Sequence, residues 1–299
     1  MMEYHNPVLL KESVDGLNIK PDGVYVDVTF GGGGHSREIL SRLGEKGKLF
    51  AFDQDEDALA NKIDDPRFVL INENFRFIKR FLRFHGIKEV DGILGDFGVS
   101  SHQFNVAERG FSTRFDARLD MRMSKKGSLS AFEVINEYEE QQLKKLFYEY
   151  ADLRIAPKLA AEIVNARKES PIESSERLKE VLSPFLFKEK EHKILAQIYQ
   201  AIRIEVNQEL EVLREFLLQT EDLIKKGGRL SLISYHSLED RLVKRYIRSG
   251  MFEGEPEKDF FGNISVPFKK VGGLVIPTAQ EIASNKRARS ARLRIAKKL

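Results

Sequence analysis

The 299-residue chain contains no cysteine and no tryptophan. Without cysteine it can form no disulfide, no thiol nucleophile and no thiolate metal site, so an intracellular setting is the default and the site is read without a metal. Long hydrophobic runs are missing as well. No stretch approaches the roughly 18 apolar residues of a membrane span, and the N-terminus lacks the pattern of a signal peptide. A cytoplasmic protein with no membrane partner is expected. Acid is absent from one region in particular: residues 285–299, NKRARSARLRIAKKL, carry seven Lys/Arg and no Asp or Glu. Removing those seven charges from the overall +3 leaves −4 for the rest of the chain. Positive charge gathered in this way suits a nucleic-acid contact, although a solvated helical face gives the same pattern.

Glycine, by contrast, is concentrated where it is informative. Residues 24–36 read VYVDVTFGGGGHS: a β-branched run, then an Asp-bearing turn, then Gly31 to Gly34, then the apolar periodicity of Ile39, Leu40 and Leu43. The glycines sit where a strand becomes a helix, so the backbone can approach a ligand beside the unpaired N–H groups of the helix start. The fit is to G-x-G-x-x-S, which alone is a weak signal. The next strand strengthens it. Asp53, in KLFAFDQD, lies 22 residues after Gly31, where nucleotide-binding α/β units place the carboxylate that holds ribose hydroxyls.

Strand-like runs at 24–28, 48–52, 67–71, 91–95 and 229–235 alternate with helical patterns, which predicts a parallel sheet covered on both faces. The segment 264–278, ISVPFKKVGGLVIPT, reads as an antiparallel hairpin on the sheet edge, where Pro267 is tolerable. Between the fourth and fifth strands lie 133 residues, about 100 more than a crossover needs. They are helical in pattern, beginning with a capping box at Ser130 and Glu133. The expected organisation is an α/β domain over 1–110 and 207–299, ending in a basic C-terminal helix, with a helical domain inserted at 111–206. Residues 208–226 form the crossover helix back to the sheet, closed by Gly227-Gly228.

Three acids, Asp27, Asp53 and Asp96, fall at or just after strand ends, on the rim where open α/β sheets bind ligands. Beside a glycine loop they would repel a pyrophosphate but suit a cationic cofactor without phosphate, so S-adenosylmethionine fits better than NAD. The competing account makes Asp27 a turn cap and Asp96 a helix cap. A second rim segment, SYHSLEDR, reads as a capping box at Ser237 and Asp240, with His236 beside the substrate side but not cast as a general base. ERGFSTRFDARLDMRMS (108–124) mixes Arg and aromatic residues that can stack bases or simply pack a domain junction. Thr278 and Glu281 look like a further capping box leading into the tail, where Arg287, Arg289, Arg292 and Arg294 are candidate phosphate contacts.

Taken together, HNPVLLKE, VDVTFGGGGHS, AFDQDEDAL, GDFGVSSHQF, ERGFS, LDMRM, YQAIRIEVNQEL, ISYHSLEDRLVKR and NKRARSARLR resemble the bacterial 16S ribosomal RNA cytosine N4-methyltransferase family, in the order that family shows and across residues 5 to 294. The resemblance implies a class I methyltransferase (Rossmann-like) sheet with an inserted α-helical domain, S-adenosyl-L-methionine as donor, and a decoding-region cytidine of 16S rRNA in the small ribosomal subunit as acceptor. It implies cofactor contacts at Gly33, Gly34, His35, Asp53, Phe75, Asp96 and Gln103. The chain departs from the family in SHQ for SPQ, in DARLDMRM for DGPLDMRM, and in KEHKILAQIYQAIRI where a His-Pro-Ala-Thr-Arg stretch usually stands. The last departure removes support for a substrate role at 192–198.

Transfer to an exocyclic amine asks the protein to align a poor nucleophile with the methyl group and to accept an N4 proton. Asp96, in DFGVS, is the expected acceptor, together with neighbouring backbone carbonyls. Methylation of another nucleic-acid amine, an NAD-dependent oxidoreductase and a non-catalytic RNA-binding assembly factor are the competing functions.

Overall fold

The computed structural model describes residues 7–186, 189–256, 260–261 and 264–299; His5 and Asn6 of the HNPVLLKE stretch lie outside them. The chain divides into two compact units, 1–98 with 210–299, and 99–209.

In the first unit, seven strands form one sheet: β1 (Val24–Asp27), β2 (Lys48–Phe52), β3 (Phe68–Ile71), β4 (Val90–Asp96), β5 (Ile224–Ser234), β6 (Phe268–Val275) and β7 (Arg292–Lys298). Their order is β3-β2-β1-β4-β5-β7-β6. The first five run parallel, and β7 pairs antiparallel with both β5 and β6. Successive side chains of a strand point to opposite faces, and here both faces are apolar. Val26, Phe50, Phe52 and Ile93 pack on one side, with Ile78 and Leu82 of a helix α3 (Ile78–Phe84), and Tyr25, Leu49, Ala51 and Leu94 on the other. The second side is covered by α1 (Leu10–Leu17) and α2 (Gly34–Arg42). This is the doubly wound α/β fold of the class I methyltransferases, with a mostly parallel sheet and an antiparallel pair at its end.

The second unit is helical: α4 (Ser101–Asn105), α5 (Ala131–Glu137), α6 (Glu140–Ala151), α7 (Ala156–Glu169), α8 (Ser175–Leu182) and α9 (Glu191–Asn207). Leu143, Phe147, Leu159, Ile163, Ile198 and Ile202 are in its core. Ser130 and Glu133 form the expected reciprocal capping box of α5. The unit starts at Val99 rather than 111, since Val99 and Phe104 pack on its core, and it ends at Glu209. Gln208, in left-handed conformation at φ 50°, ends α9. It separates that helix from α10 (Glu209–Leu223), which returns the chain to the sheet as the crossover, while α11 (Ser237–Ser249) follows β5 and α12 (Ala279–Ser284) follows β6.

Three local expectations are corrected. Gly227-Gly228 does not close the crossover helix, because β5 has already begun at Ile224 and the glycines sit inside it. The β4–β5 register shifts beside them, Gly227 has φ 84°, and a Cβ on Gly228 would come within 2.8 Å of the Asp91 carbonyl oxygen. The antiparallel pair is not folded within 264–278; β6 takes its partner from 292–298. The basic C-terminal segment is accordingly a short 3-10 turn over Lys286–Ser290 followed by the strand β7, not one continuous helix. Its ARLRIA stretch alternates Arg292 and Arg294 with Leu293 and Ile295, a period of two that a helix could not bury on one side.

Candidate functional site: an acid rim at the strand ends

The β1–α2 loop is held by its own side chains. Gly33, at φ 76°, is the N-cap of α2, a backbone state that costs glycine little. Asp27 is fully buried; it accepts hydrogen bonds from the Thr29 N–H at 3.1 Å and the Ser36 hydroxyl at 2.7 Å. It is therefore a turn cap, as the competing account had it, and not an exposed ligand. Thr29 does more: its Oγ1 accepts from the Asp96 N–H at 2.7 Å, tying the end of β4 to the loop after β1.

Asp53 accepts from the Gly31 N–H at 2.7 Å and from the Asp55 N–H at 2.8 Å. The spacing of 22 residues thus becomes a direct contact between the glycine loop and the end of β2. Asn61 closes the same corner by donating to the Gly31 carbonyl at 3.0 Å. Phe75 begins the turn that precedes α3, and its ring lies 5.8 Å from Phe97 and 5.3 Å from Phe216.

At the end of β4, Tyr235 donates its phenol to Asp96 Oδ1 at 2.7 Å. His35 Nδ1 stands 4.0 Å from Asp96 Oδ2, while its Nε2 is 3.2 Å from the Val8 carbonyl oxygen. A carbonyl only accepts, so Nε2 carries the proton; burial pushes the ring's pKa down, and the neutral ring presents a bare Nδ1 toward Asp96. Burial pushes Asp27, Asp53 and Asp96 up to about 6 each, with the Asp27 charge adding to the rise at the other two. Among the described residues, no Lys or Arg lies within ion-pair distance of these three acids.

Gln103 belongs to the helical unit, where it is buried and completes a capping box with Ser100 at the start of α4. Ser100, not Asp96, caps that helix. In the 108–124 stretch, Arg109 is 6 % exposed and donates to the carbonyls of Arg122 and Met123, and Phe111 is buried, so both pack the unit rather than offer a stacking face. Asn207 clamps Met121 and Met123 through their backbones.

The rim segment after β5 differs from its expected capping by one residue. His236 is the N-cap of α11 and Glu239 its box partner. Glu239 Oε2 also accepts from the Tyr235 N–H at 2.9 Å. Asp240 is freed from capping and holds Arg294 through two hydrogen bonds, of 2.7 and 3.0 Å, and Arg292 through one of 3.1 Å. Arg294 is thus a structural residue, and Arg292 is shared between Asp240 and solvent. Arg289 is exposed; Arg287 is half-buried in the turn before β7, its N–H on the Asn285 carbonyl of the side chain. Thr278 caps α12, but Glu281 turns away from the box to accept from the Leu9 N–H at 2.7 Å. Thr29, Tyr235 and Glu239 are the site residues that sequence reasoning missed. Their positions at strand ends were visible, but their partners lie far away in the chain.

No helix among the described residues is long and apolar enough to cross a membrane. The MraW methylase family matches residues 2–299. Among similar proteins, the ribosomal RNA small subunit methyltransferase H of Christiangramia forsetii is 78% identical over 299 residues, covering 100% of this chain and 99% of its own. The protein of the same name in Flavobacterium johnsoniae is 70% identical over 298 residues, covering 100% and 99%, and that of Bacteroides fragilis 55% over 296 residues, covering 99% and 97%. An rRNA methylase from Streptococcus thermophilus of known crystal structure aligns with a TM-score of 0.44 at 12% identity, covering 100% of this chain and 99% of its own. On the family match and on relatives of this identity over the full length, the chain belongs to the MraW methylase family.

Proposed function

We propose that this protein methylates the exocyclic N4 amine of a cytidine in the decoding region of 16S ribosomal RNA, in the cytoplasm, using S-adenosylmethionine and taking the small ribosomal subunit as substrate. The single observation that carries the cofactor is the rim itself: Asp53 and Asp96 at the ends of β2 and β4, on either side of β1 and its glycine loop, with no Lys or Arg among the described residues to neutralise them. That donor set fits a cation with ribose hydroxyls and does not fit a pyrophosphate.

S-adenosylmethionine supplies a methyl group on a positively charged sulfur. In this reading Gly33, Gly34 and His35 would line the cofactor's methionine-bearing end together with Asp96, Asp53 would accept from the ribose hydroxyls, and Phe75 would flank the adenine. Asp96 also serves the reacting amine. The N4 lone pair is delocalised into the cytosine ring, so alignment matters, and positioning of this kind contributes roughly 7–11 kcal/mol. Asp96 Oδ2 would accept an N4–H, turn the lone pair toward the methyl group, and take the proton that N4 loses as the new N–C bond replaces the methyl carbon–sulfur bond. The base must leave its stack to reach the rim, which favours an opened site in the subunit over a duplex. Arg287 and Arg289 contact phosphates, with Arg292 contributing through its exposed side.

The experiment is tritiated methyl transfer to small subunits purified from cells lacking the protein, followed by nucleoside analysis. Label in N4-methylcytidine is expected; label on any other nucleoside overturns the assignment.

A further inference from the structure

Asp96 has two carboxylate oxygens and only one of them is committed. Oδ1 receives the Tyr235 phenol at 2.7 Å, and Oδ2 faces the bare Nδ1 of His35 across 4.0 Å. Two acceptors that far apart repel if left alone, but a donor with two hydrogens can bridge them. Which oxygen faces the gap depends on how the carboxylate is rotated about its Cβ–Cγ bond, a broad two-fold torsion with little preference of its own.

The phenol is well placed to set that rotation. Tyr235 follows β5 directly, and its backbone N–H is anchored on Glu239 Oε2, a carboxylate only 2 % exposed that also receives the His236 N–H at 3.4 Å. Gly98, at φ 97°, runs beside the ring, where a Cβ would make ordinary contact with Tyr235 Cδ2 at 3.6 Å. The backbone of Asp96 is fixed independently by Thr29. Main chain and one oxygen are therefore both held, by residues from two different loops.

We propose that Tyr235 is a positioning residue for the methyl transfer: by donating to Oδ1 it locks the Asp96 carboxylate so that Oδ2 is the oxygen presented to the amine. This rests on the reading of Asp96 as the acceptor. The phenol has a second effect of the same sign. A donor to the ionised carboxylate favours that form, and the Tyr235 hydrogen bond holds the Asp96 pKa down against burial and the charges of Asp27 and Glu239. Tyr235 itself keeps its proton, because burial and the charges of Asp96, Glu239 and Glu281 push its pKa well up. It is thus a donor throughout the range in which Asp96 titrates.

The test is the pH profile of methyl transfer to small subunits by the full chain carrying Tyr235→Phe. The rate needs an ionised Asp96, so it falls as pH drops through that group's pKa. Without the phenol the pKa rises, and the acid limb is expected to move up by about one pH unit, the size of shift that loss of one hydrogen bond to a charged group produces. At pH 7.5, where Asp96 stays mostly ionised in either protein, kcat should still fall about tenfold, because the carboxylate has lost the charge-assisted hydrogen bond that fixes its rotation, with KM for S-adenosylmethionine changing less than about threefold. Replacing Tyr235 by 3-fluorotyrosine, a stronger donor of nearly the same shape, should move the limb the other way, and it keeps the test available if the phenylalanine variant folds poorly. An acid limb that stays in place in both variants overturns the proposal. Asp96→Asn run in parallel separates the two ideas: full turnover there removes the acceptor role itself, whereas lost turnover together with an unmoved limb in the tyrosine variants removes only the role of Tyr235.

Discussion

Two sets of aspartates in the same sheet unit behave in opposite ways. Asp91 and Asp240 are buried, and burial alone would raise their pKa values, yet both are held below the ordinary carboxylate range by cations: Lys225 and Lys20 for Asp91, Arg294 and Arg292 for Asp240. Asp27 is fully buried, and Asp53 and Asp96 are half-buried, yet all three rise to about 6, because among the described residues no Lys or Arg approaches them. The difference lies in the company each acid keeps and not in residue type or depth. A paired acid is finished by the fold. An unpaired one at the carboxyl end of a strand is completed only by a positive charge from outside, and a sulfonium bearing an α-ammonium group provides one.

The contrast is broken most strongly at Asp96. Asp96→Asn should lower kcat by about 10²–10⁴-fold, the usual worth of a positioned acid–base group, measured as methyl incorporation into small subunits with RNA binding followed separately. Asp53→Asn removes a charge and weakens the acceptor for the ribose. A loss of roughly 10–100-fold in cofactor affinity is expected by calorimetric titration, with the competing titration against NAD giving no heat. Titrating the rim tests the same idea without mutation. A carboxyl whose folded pKa is raised from 3.8 to about 6 adds stability fully present below pH 3.8, which is lost as pH rises through 6. The ligand-free protein should therefore lose stability over that window, while affinity for S-adenosylmethionine climbs about tenfold between pH 5 and 7. Melting curves with and without cofactor at each pH report both trends.

The paired acids give the smaller effects. Arg294→Gln leaves Asp240 with Arg292 alone, and a lowered melting temperature is expected with no change in RNA affinity. Arg289→Gln, at an exposed position, should do the reverse: an unchanged melting temperature, and a salt dependence of RNA binding shallower by about one counterion. If Arg294→Gln instead weakened RNA binding at constant stability, the division between the two sets would fail.

The rim was legible because position along the chain marks it. A strand that ends in Asp53, 22 residues past Gly31, and another that ends in Asp96 can face only the carboxyl edge of a parallel sheet. The inserted helical unit was legible from its excess length and from the Ser130–Glu133 box. What stayed hidden depends on pairing at a distance. The seven cations of 285–299 drew attention to charge, and the period-two alternation of Leu293 and Ile295 beneath them specified the strand. In SYHSLEDR, serine is the commoner cap, but Glu239 is needed to hold the Tyr235 and His236 N–H groups, which moves the helix start back to His236 and leaves Asp240 for the arginines. Nothing local to Tyr235 could show that its phenol meets a residue 139 positions away.

The placing of β7 between β5 and β6 has a consequence for biogenesis. During synthesis β5 can pair with β4 as soon as it emerges, but its other edge lies bare until residues 292–298 are made, and β6 has no partner at all before then. Open strand edges of this kind invite pairing with other chains, and pairings of long sequence separation form slowly. The nascent protein therefore carries its greatest aggregation hazard over the stretch between 235 and 291. Lys269 and Lys270 on the waiting edge strand, and the glycine pair at 272–273 that interrupts it, are the features that make that interval survivable.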